Sequence, residues 1–167
     1  MRKTVLGILT LLTIVLTACA AQKKKITTPQ LNYVQMWRTP CFGKCPNYKL
    51  EIYRNGLVRY TGIMFTDTGI YEKNIGEAAA EKVLRSFEKK RVDTLKKDYT
   101  VLISDLPGIN FIFNYGKTTQ NVRNAQFGPL FLRELADQFD LLINKHPGET
   151  PKMNADWQMV SRSPMGG

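Results

Sequence analysis

Histidine is almost missing from this sequence: of 167 residues one is histidine, three are cysteine and two are tryptophan. A Ser-His-Asp hydrolase needs an imidazole held beside its nucleophile, yet His146 stands directly before Pro147 with no supporting motif. Its expected role is that of a helix C-terminal cation or an exposed side chain. A tetrahedral zinc site asks for more imidazole and thiolate ligands than this chain offers. The glycines form neither a phosphate-cradling loop nor a dinucleotide fingerprint, and no internal repeat is present. These absences name no catalytic residue and call for no cofactor, so the expectation is a protein that is not an enzyme.

What is present begins at the N-terminus. Arg2 and Lys3 open the chain, and Val5 to Leu16 is almost wholly apolar but too short to span a bilayer as a helix. The run ends Leu16-Thr17-Ala18-Cys19. A positive start, an apolar stretch, and a cysteine preceded by a small residue and, three positions back, a branched aliphatic one resemble the lipobox signal peptide of bacterial lipoproteins. That resemblance implies removal of residues 1–18, a diacylglyceryl thioether on Cys19, and a further acyl chain such as palmitate on the new amino terminus. Each buried methylene contributes roughly 0.8 kcal/mol, so several chains hold a protein on a membrane where one binds only reversibly. Ala20 stands where an inner-membrane retention signal places Asp, which by analogy directs the protein to the outer membrane, facing the periplasm.

The formal net charge is +10, and residues 1–18 hold two basic residues and no acidic ones, so the remainder stays basic. Lys23, Lys24 and Lys25 would lie within a Debye length of anionic headgroups. Lys89, Lys90, Arg91, Lys96 and Lys97 form a second basic group. Both read first as a solvated linker and a helix end whose cations complement the dipole. Nucleic acid is not an expected partner for an exported chain.

Residues 19–30 have the composition of a flexible tether, residues 31–146 suit a single domain, and residues 147–167 read as a mobile tail in which Trp157 can strap back onto the domain. Leu31 to Arg38 reads as a strand, and Tyr48 to Arg54 with Leu57 to Met64 as a hairpin around Asn55-Gly56. A two-residue turn would mix apolar and charged side chains on each face. A three-residue loop with Gly56 at positive φ instead pairs Ile52 with Val58, Leu50 with Tyr60, and Glu51 with Arg59, which sorts the faces. Gly69 to Ile75 is a third partner. A second hairpin runs through Ile109, Phe111, Phe113 and Tyr115 and returns over Thr118 to Arg123.

Helical spacing marks Gly76 to about Lys90, with Ala80, Val83, Leu84 and Phe87 on one stripe, and a last helix with Pro129 in its first turn, carrying Leu132, Leu135, Ala136, Phe139, Leu142 and Ile143. Strands then a helix, twice over, predict an α+β fold: an antiparallel sheet packed against two main helices, preceded by the signal peptide and tether.

The unusual local pattern is Cys41-Phe42-Gly43-Lys44-Cys45-Pro46-Asn47-Tyr48. It resembles the Cys-x-Gly-x-Cys-Pro-x-Tyr signature of an uncharacterised family of bacterial, mostly exported domains, matched at Cys41, Gly43, Cys45, Pro46, Tyr48 and, in the following turn, Gly56. Ser104-Asp105-Leu106-Pro107 resembles a second family feature. The resemblance implies a fold and no catalytic residue. In an oxidising compartment neighbouring thiols pair, so a Cys41–Cys45 disulfide is the favoured state; closing so small a ring removes about 2 kcal/mol of unfolded-chain entropy and mainly fixes the loop's shape.

The alternative is a thiol pair for copper or redox exchange, since the spacing also resembles the Cys-x-x-x-Cys-Pro motif of thioredoxin-like copper-delivery proteins. There the motif opens a helix, whereas Cys45-Pro46 here leads into a strand. Metal ligands, if any, would be Cys41 and Cys45. Asp137 and Asp140 read as solvent-facing on the last helix, Glu51 as the cross-strand partner of Arg59, and Tyr53, Tyr60, Tyr71, Phe111, Phe113 and Tyr115 as sheet core. The expected function is therefore a membrane-anchored envelope lipoprotein acting as a non-catalytic interaction or structural module toward an envelope protein or polymer. The alternatives are thiol-based metal binding or redox exchange, and binding of anionic envelope polymers through the basic faces.

Overall fold

The chain reverses through Arg54, Asn55 and Gly56, and Gly56 takes φ +95°, a conformation that costs glycine little. A Cβ there would also meet Asn74 Oδ1 at 2.7 Å, so the position is closed twice over to other residues. The flanking strands pair Ile52 with Val58, Leu50 with Tyr60, and Glu51 with Arg59, the register in which the two faces sort by polarity. The computed structural model describes residues 28–101, 106–146 and 148–162.

Among those residues one antiparallel sheet contains seven strands: β1 (Tyr33–Arg38), β2 (Asn47–Tyr53), β3 (Leu57–Met64), β4 (Gly69–Asn74), β5 (Ile109–Asn114), β6 (Thr119–Val122) and β7 (Gln158–Ser161). Their order across the sheet is β6-β5-β1-β2-β3-β4-β7. Two helices, α1 (Glu77–Lys89) and α2 (Leu130–Asp140), cover one face, and a 3-10 turn (Leu141–Ile143) extends α2. The fold is the α+β class that the sequence predicts. Pro129 sits one residue before α2, as its N-cap, rather than in its first turn.

Period-two alternation builds the core. Val34 and Met36 of β1, Leu50 and Ile52 of β2, Val58 and Tyr60 of β3, and Phe111 and Phe113 of β5 turn to the helices and are buried. Ala80, Leu84 and Phe87 of α1 and Leu132, Leu135, Ala136 and Phe139 of α2 meet them. Phe87 is the hinge of the packing, its ring centroid 5.8 Å from Phe111, 5.9 Å from Phe113 and 5.7 Å from Phe139. Of the predicted aromatic core, Tyr53, Tyr71 and Tyr115 are only half-buried.

The domain's entry is fastened by charge: Glu88 accepts from the Leu31 amide and from Arg54, both at 2.8 Å, and Arg54 Nε donates to the Leu31 carbonyl at 2.7 Å. The exit departs from expectation. The segment after residue 147, which reads as a mobile tail, supplies β7, paired antiparallel with β4, and it seats Trp157 at 7% exposure against Tyr60. Asp67 accepts the Met153 amide at 2.8 Å, and Thr66 donates to the Pro151 carbonyl at 3.1 Å. The strand escaped the sequence pattern because three of its four side chains are exposed, so backbone pairing rather than an apolar face holds it.

Candidate functional site

Arg38 is the last residue of β1, and the alternation that buries Val34 and Met36 carries it inward too, opposite Tyr48 on β2 and Ile109 on β5. A guanidinium and a phenol thus close the end of an apolar row. Their partner comes from α2: Asp140, 1% exposed, accepts from the Tyr48 hydroxyl at 2.6 Å and lies 2.8 Å from Arg38 Nη2. Lys145, 8% exposed, brings Nζ to 3.1 Å from the same carboxylate. Asp137 adds a half-exposed contact to Arg38 at 2.9 Å.

Asp140 is therefore a correction to the solvent-facing reading, which holds for Asp137 alone. Asp140 stands four residues after Ala136 and eight after Leu132, on the buried stripe. Burial raises the Tyr48 pKa, and Asp140 beside it raises it further, so the phenol is neutral and donates. For Arg38, burial alone would lower the pKa, but Asp140, Tyr48 and Asp137 outweigh it and the net shift is upward. Arg38 Nε is nevertheless buried without a hydrogen-bond partner among the described residues.

Directly beyond Arg38 the chain forms the β1–β2 loop, and there Cys41 and Cys45 are joined by a disulfide, with Cα atoms 5.6 Å apart. Trp37 Nε1 donates to Asn47 Oδ1 at 2.9 Å and fastens the loop's base on the opposite face of the sheet. Gly43 N–H donates to the Cys41 carbonyl at 2.8 Å, making the ring tight, and Phe42 at its tip is 90% exposed. Cys45-Pro46 runs into β2, not a helix. With both sulfurs in one bond, neither thiolate is free for copper or disulfide exchange until that bond is reduced.

Between this loop, the start of β5 and the chain after α2 lies a cleft of about 320 Å³, lined by Arg38 and Lys145, by Cys45, Pro46, Pro107 and Ile109, and by Gln126 and Glu149. No local pattern along the chain marks it, because its walls come from four separated segments. Two signals were there to be read: Arg38 continues the inward row of Val34 and Met36, and Tyr48 that of Leu50 and Ile52.

The other singled-out residues are not gathered here. Cys19 and the Lys23–Lys25 run lie outside the described residues, as do Ser104, Asp105 and Pro147. His146 is exposed, and its backbone N–H donates to Glu149 at 2.9 Å. Arg59 stands opposite Glu51 but its closer partner is Glu72, at 2.7 Å against 3.9 Å. Arg91 pairs with Asp93, and Lys90 lies over the Phe131 ring. Among the described residues no group of three or more His, Cys, Asp or Glu side chains is arranged to hold a metal ion, and no helix is long and apolar enough to cross a membrane.

Residues 32–143 match the model of a family described as a domain of unknown function, DUF6438. No curated protein and no solved structure gives a significant match to the chain.

Proposed function

The chain belongs to the DUF6438 family of domains of unknown function, and from that premise we propose that it is a lipid-anchored protein of the bacterial cell envelope. Its domain binds another envelope component, without catalysis, at the sheet end that carries the Cys41–Cys45 loop. The observation that carries this reading is Phe42: an aromatic side chain 90% exposed at the tip of a ring closed by a disulfide, directly beside a cleft. A large apolar group in water is unfavourable for an isolated monomer, and a stiff loop loses little conformational freedom when it docks. Aromatic side chains, Phe among them, are enriched at protein interfaces, and one on a stiff loop suits that use.

The anchor rests on Arg2, Lys3, the apolar run and the Leu16-Thr17-Ala18-Cys19 ending. The disulfide supports it independently, because such bonds persist in oxidising compartments and are rare in the cytosol. Lipid on Cys19 would then hold the domain on a membrane, with residues 19–30 as the tether.

Two experiments test the reading. In cells, Cys19→Ala should shift the protein from the membrane pellet to the soluble fraction and abolish its acylated mass; unchanged sedimentation and mass would overturn the anchor. A photo-reactive amino acid at position 42 of the anchored protein should yield discrete crosslinked products that disappear when Cys41 and Cys45 are both serine. The same probe at Arg85, exposed on α1, serves as the control; identical products from the two positions would overturn the proposed binding end.

A further inference from the structure

We infer that the cleft beside the disulfide loop is a binding site for a monocarboxylate with a short apolar body, held through Arg38 and Lys145. The inference deepens the reading of this end of the sheet as the binding end, and rests on it.

The cleft wall presents two cations, Arg38 and Lys145, while the carboxylate between them, Asp140, stands behind and is not part of the lining. Asp140 is fully committed: one oxygen accepts from Tyr48 and the other faces both Arg38 and Lys145. The cations are not. Nη2 of Arg38 serves Asp137 and Asp140, leaving both Nη1 protons without a protein acceptor among the described residues; Nε–H also lacks one but is sealed from solvent and takes no part in the site. Lys145 Nζ reaches Asp140 at 3.1 Å and the His146 carbonyl at 3.5 Å, so one of its protons remains to be placed. Gln126 accepts the Ile109 amide through Oε1 at 2.6 Å, which leaves its Nε2 as a neutral donor in the same wall.

Buried Asp140 and, through solvent, half-exposed Asp137 already balance much of the charge of Arg38 and Lys145, so the free donors suit an anion carrying no more than a single charge. Glu149 on the rim, exposed and negative, argues against a dianion such as phosphate. Cys45, Pro46, Pro107 and Ile109 supply apolar wall beside Thr39 and Tyr48, and about 320 Å³ accommodates only a small body. A free organic acid and the terminal carboxylate of a peptide share this chemistry.

The test is titration of the purified protein, isolated in detergent as the cell makes it, with butyrate, benzoate, butyramide, inorganic phosphate, and a tripeptide ending in leucine as its free acid and as its amide. Saturable binding of the carboxylates, with at least tenfold weaker binding of butyramide and of the peptide amide, is expected. Preference for the peptide acid over butyrate and benzoate assigns the site to chain termini, and the reverse assigns it to free acids. Glu149→Gln should tighten binding several-fold, since it removes a rim charge from an exposed position and leaves an acceptor for the His146 amide. Lys145→Met alone unbalances a buried pair and destabilises the fold; the double variant Asp140→Asn with Lys145→Met keeps the cluster's net charge and should weaken carboxylate binding tenfold or more. Tighter binding of phosphate than of any carboxylate, equal binding of amide and acid, or no binding at all would overturn the inference. In the last case, persistence of the position-42 crosslinks would show that the binding end stands without this ligand.

Discussion

Replacing Asp140 by alanine removes the one carboxylate that Tyr48, Arg38 and Lys145 share. The folded protein would then hold a phenol without its acceptor and two inward-facing cations without their central counter-charge. Breaking a buried pair by deleting one partner costs about 3–5 kcal/mol, most of it the desolvation of the charge left behind. Asp137, one turn earlier on the same helix, gives the internal control: its side chain is 53% exposed and it touches Arg38 alone, so Asp137→Ala should cost no more than about 1 kcal/mol. At about 4 °C per kcal/mol for a domain of this size, the two variants should separate by roughly 10–15 °C in Tm. Urea unfolding at neutral pH, followed by tyrosine and tryptophan fluorescence, should show the same gap as a midpoint difference with equal slopes. The double variant Asp140→Asn with Lys145→Met, which removes one charge of each sign, should recover much of the loss, because neighbours in one network are not additive. Equal stability of the Asp140→Ala and Asp137→Ala proteins would refute the claim that Asp140 neutralises a buried cluster.

Three further expectations follow from the same geometry. Cys41→Ser with Cys45→Ser should lower stability by about 2 kcal/mol, the entropy of so small a ring, and raise hydrogen exchange at Phe42 and Gly43 but not in β3; an unchanged loop would show that the disulfide does not set its shape. Glu51 has its pKa raised, first by burial and against the opposing pull of Arg59, so the folded state binds its proton more tightly than the unfolded chain. Its contribution to stability is present below the unfolded value and lost as pH rises through the folded one. Glu51→Gln should accordingly raise Tm at pH 7, with the gain fading below about pH 4; a loss at pH 7 would give the 3.9 Å contact with Arg59 more weight than burial. Trp157→Ala should cost about 3 kcal/mol and release the β4 amides paired with β7 to rapid exchange, whereas a mobile tail would leave both unchanged.

The central hairpin was legible because its two faces differ in chemistry: a one-residue slip would put Glu51 and Arg59 into the core, so polarity alone selects the register. The helices were legible for the same reason at a period of 3.6. β7 was not, since Gln158, Met159 and Val160 are all exposed and their side chains record nothing of the pairing. The charged cluster was half legible. Arg38 and Tyr48 sit in phase with apolar neighbours, a signal that a reading by residue type passes over, and Asp140 looks like a twin of Asp137 until the helix is placed on the sheet. The cleft could not be read at all, because its walls meet only after β1, β5 and the end of α2 are brought together.

The position of that cluster bears on its purpose. Well-packed apolar residues of similar volume often replace a buried ion pair without loss of stability, so stability alone does not explain Arg38, Asp140 and Lys145. The apolar rows of β1 and β2 end in Arg38 and Tyr48 at the strand ends from which the disulfide loop leaves, and the cluster ties those ends to α2. The loop is thus fixed from two directions, by its own disulfide and by the charged network beneath it, while the cations of that network keep Nη1 and Nζ donors that no oxygen of the described residues uses. A merely structural cluster gains from satisfying every donor internally; one that must receive an anion gains from leaving some free. The unfilled donors of Arg38 are what separates the two, which makes carboxylate titration a more decisive measurement here than any stability scan.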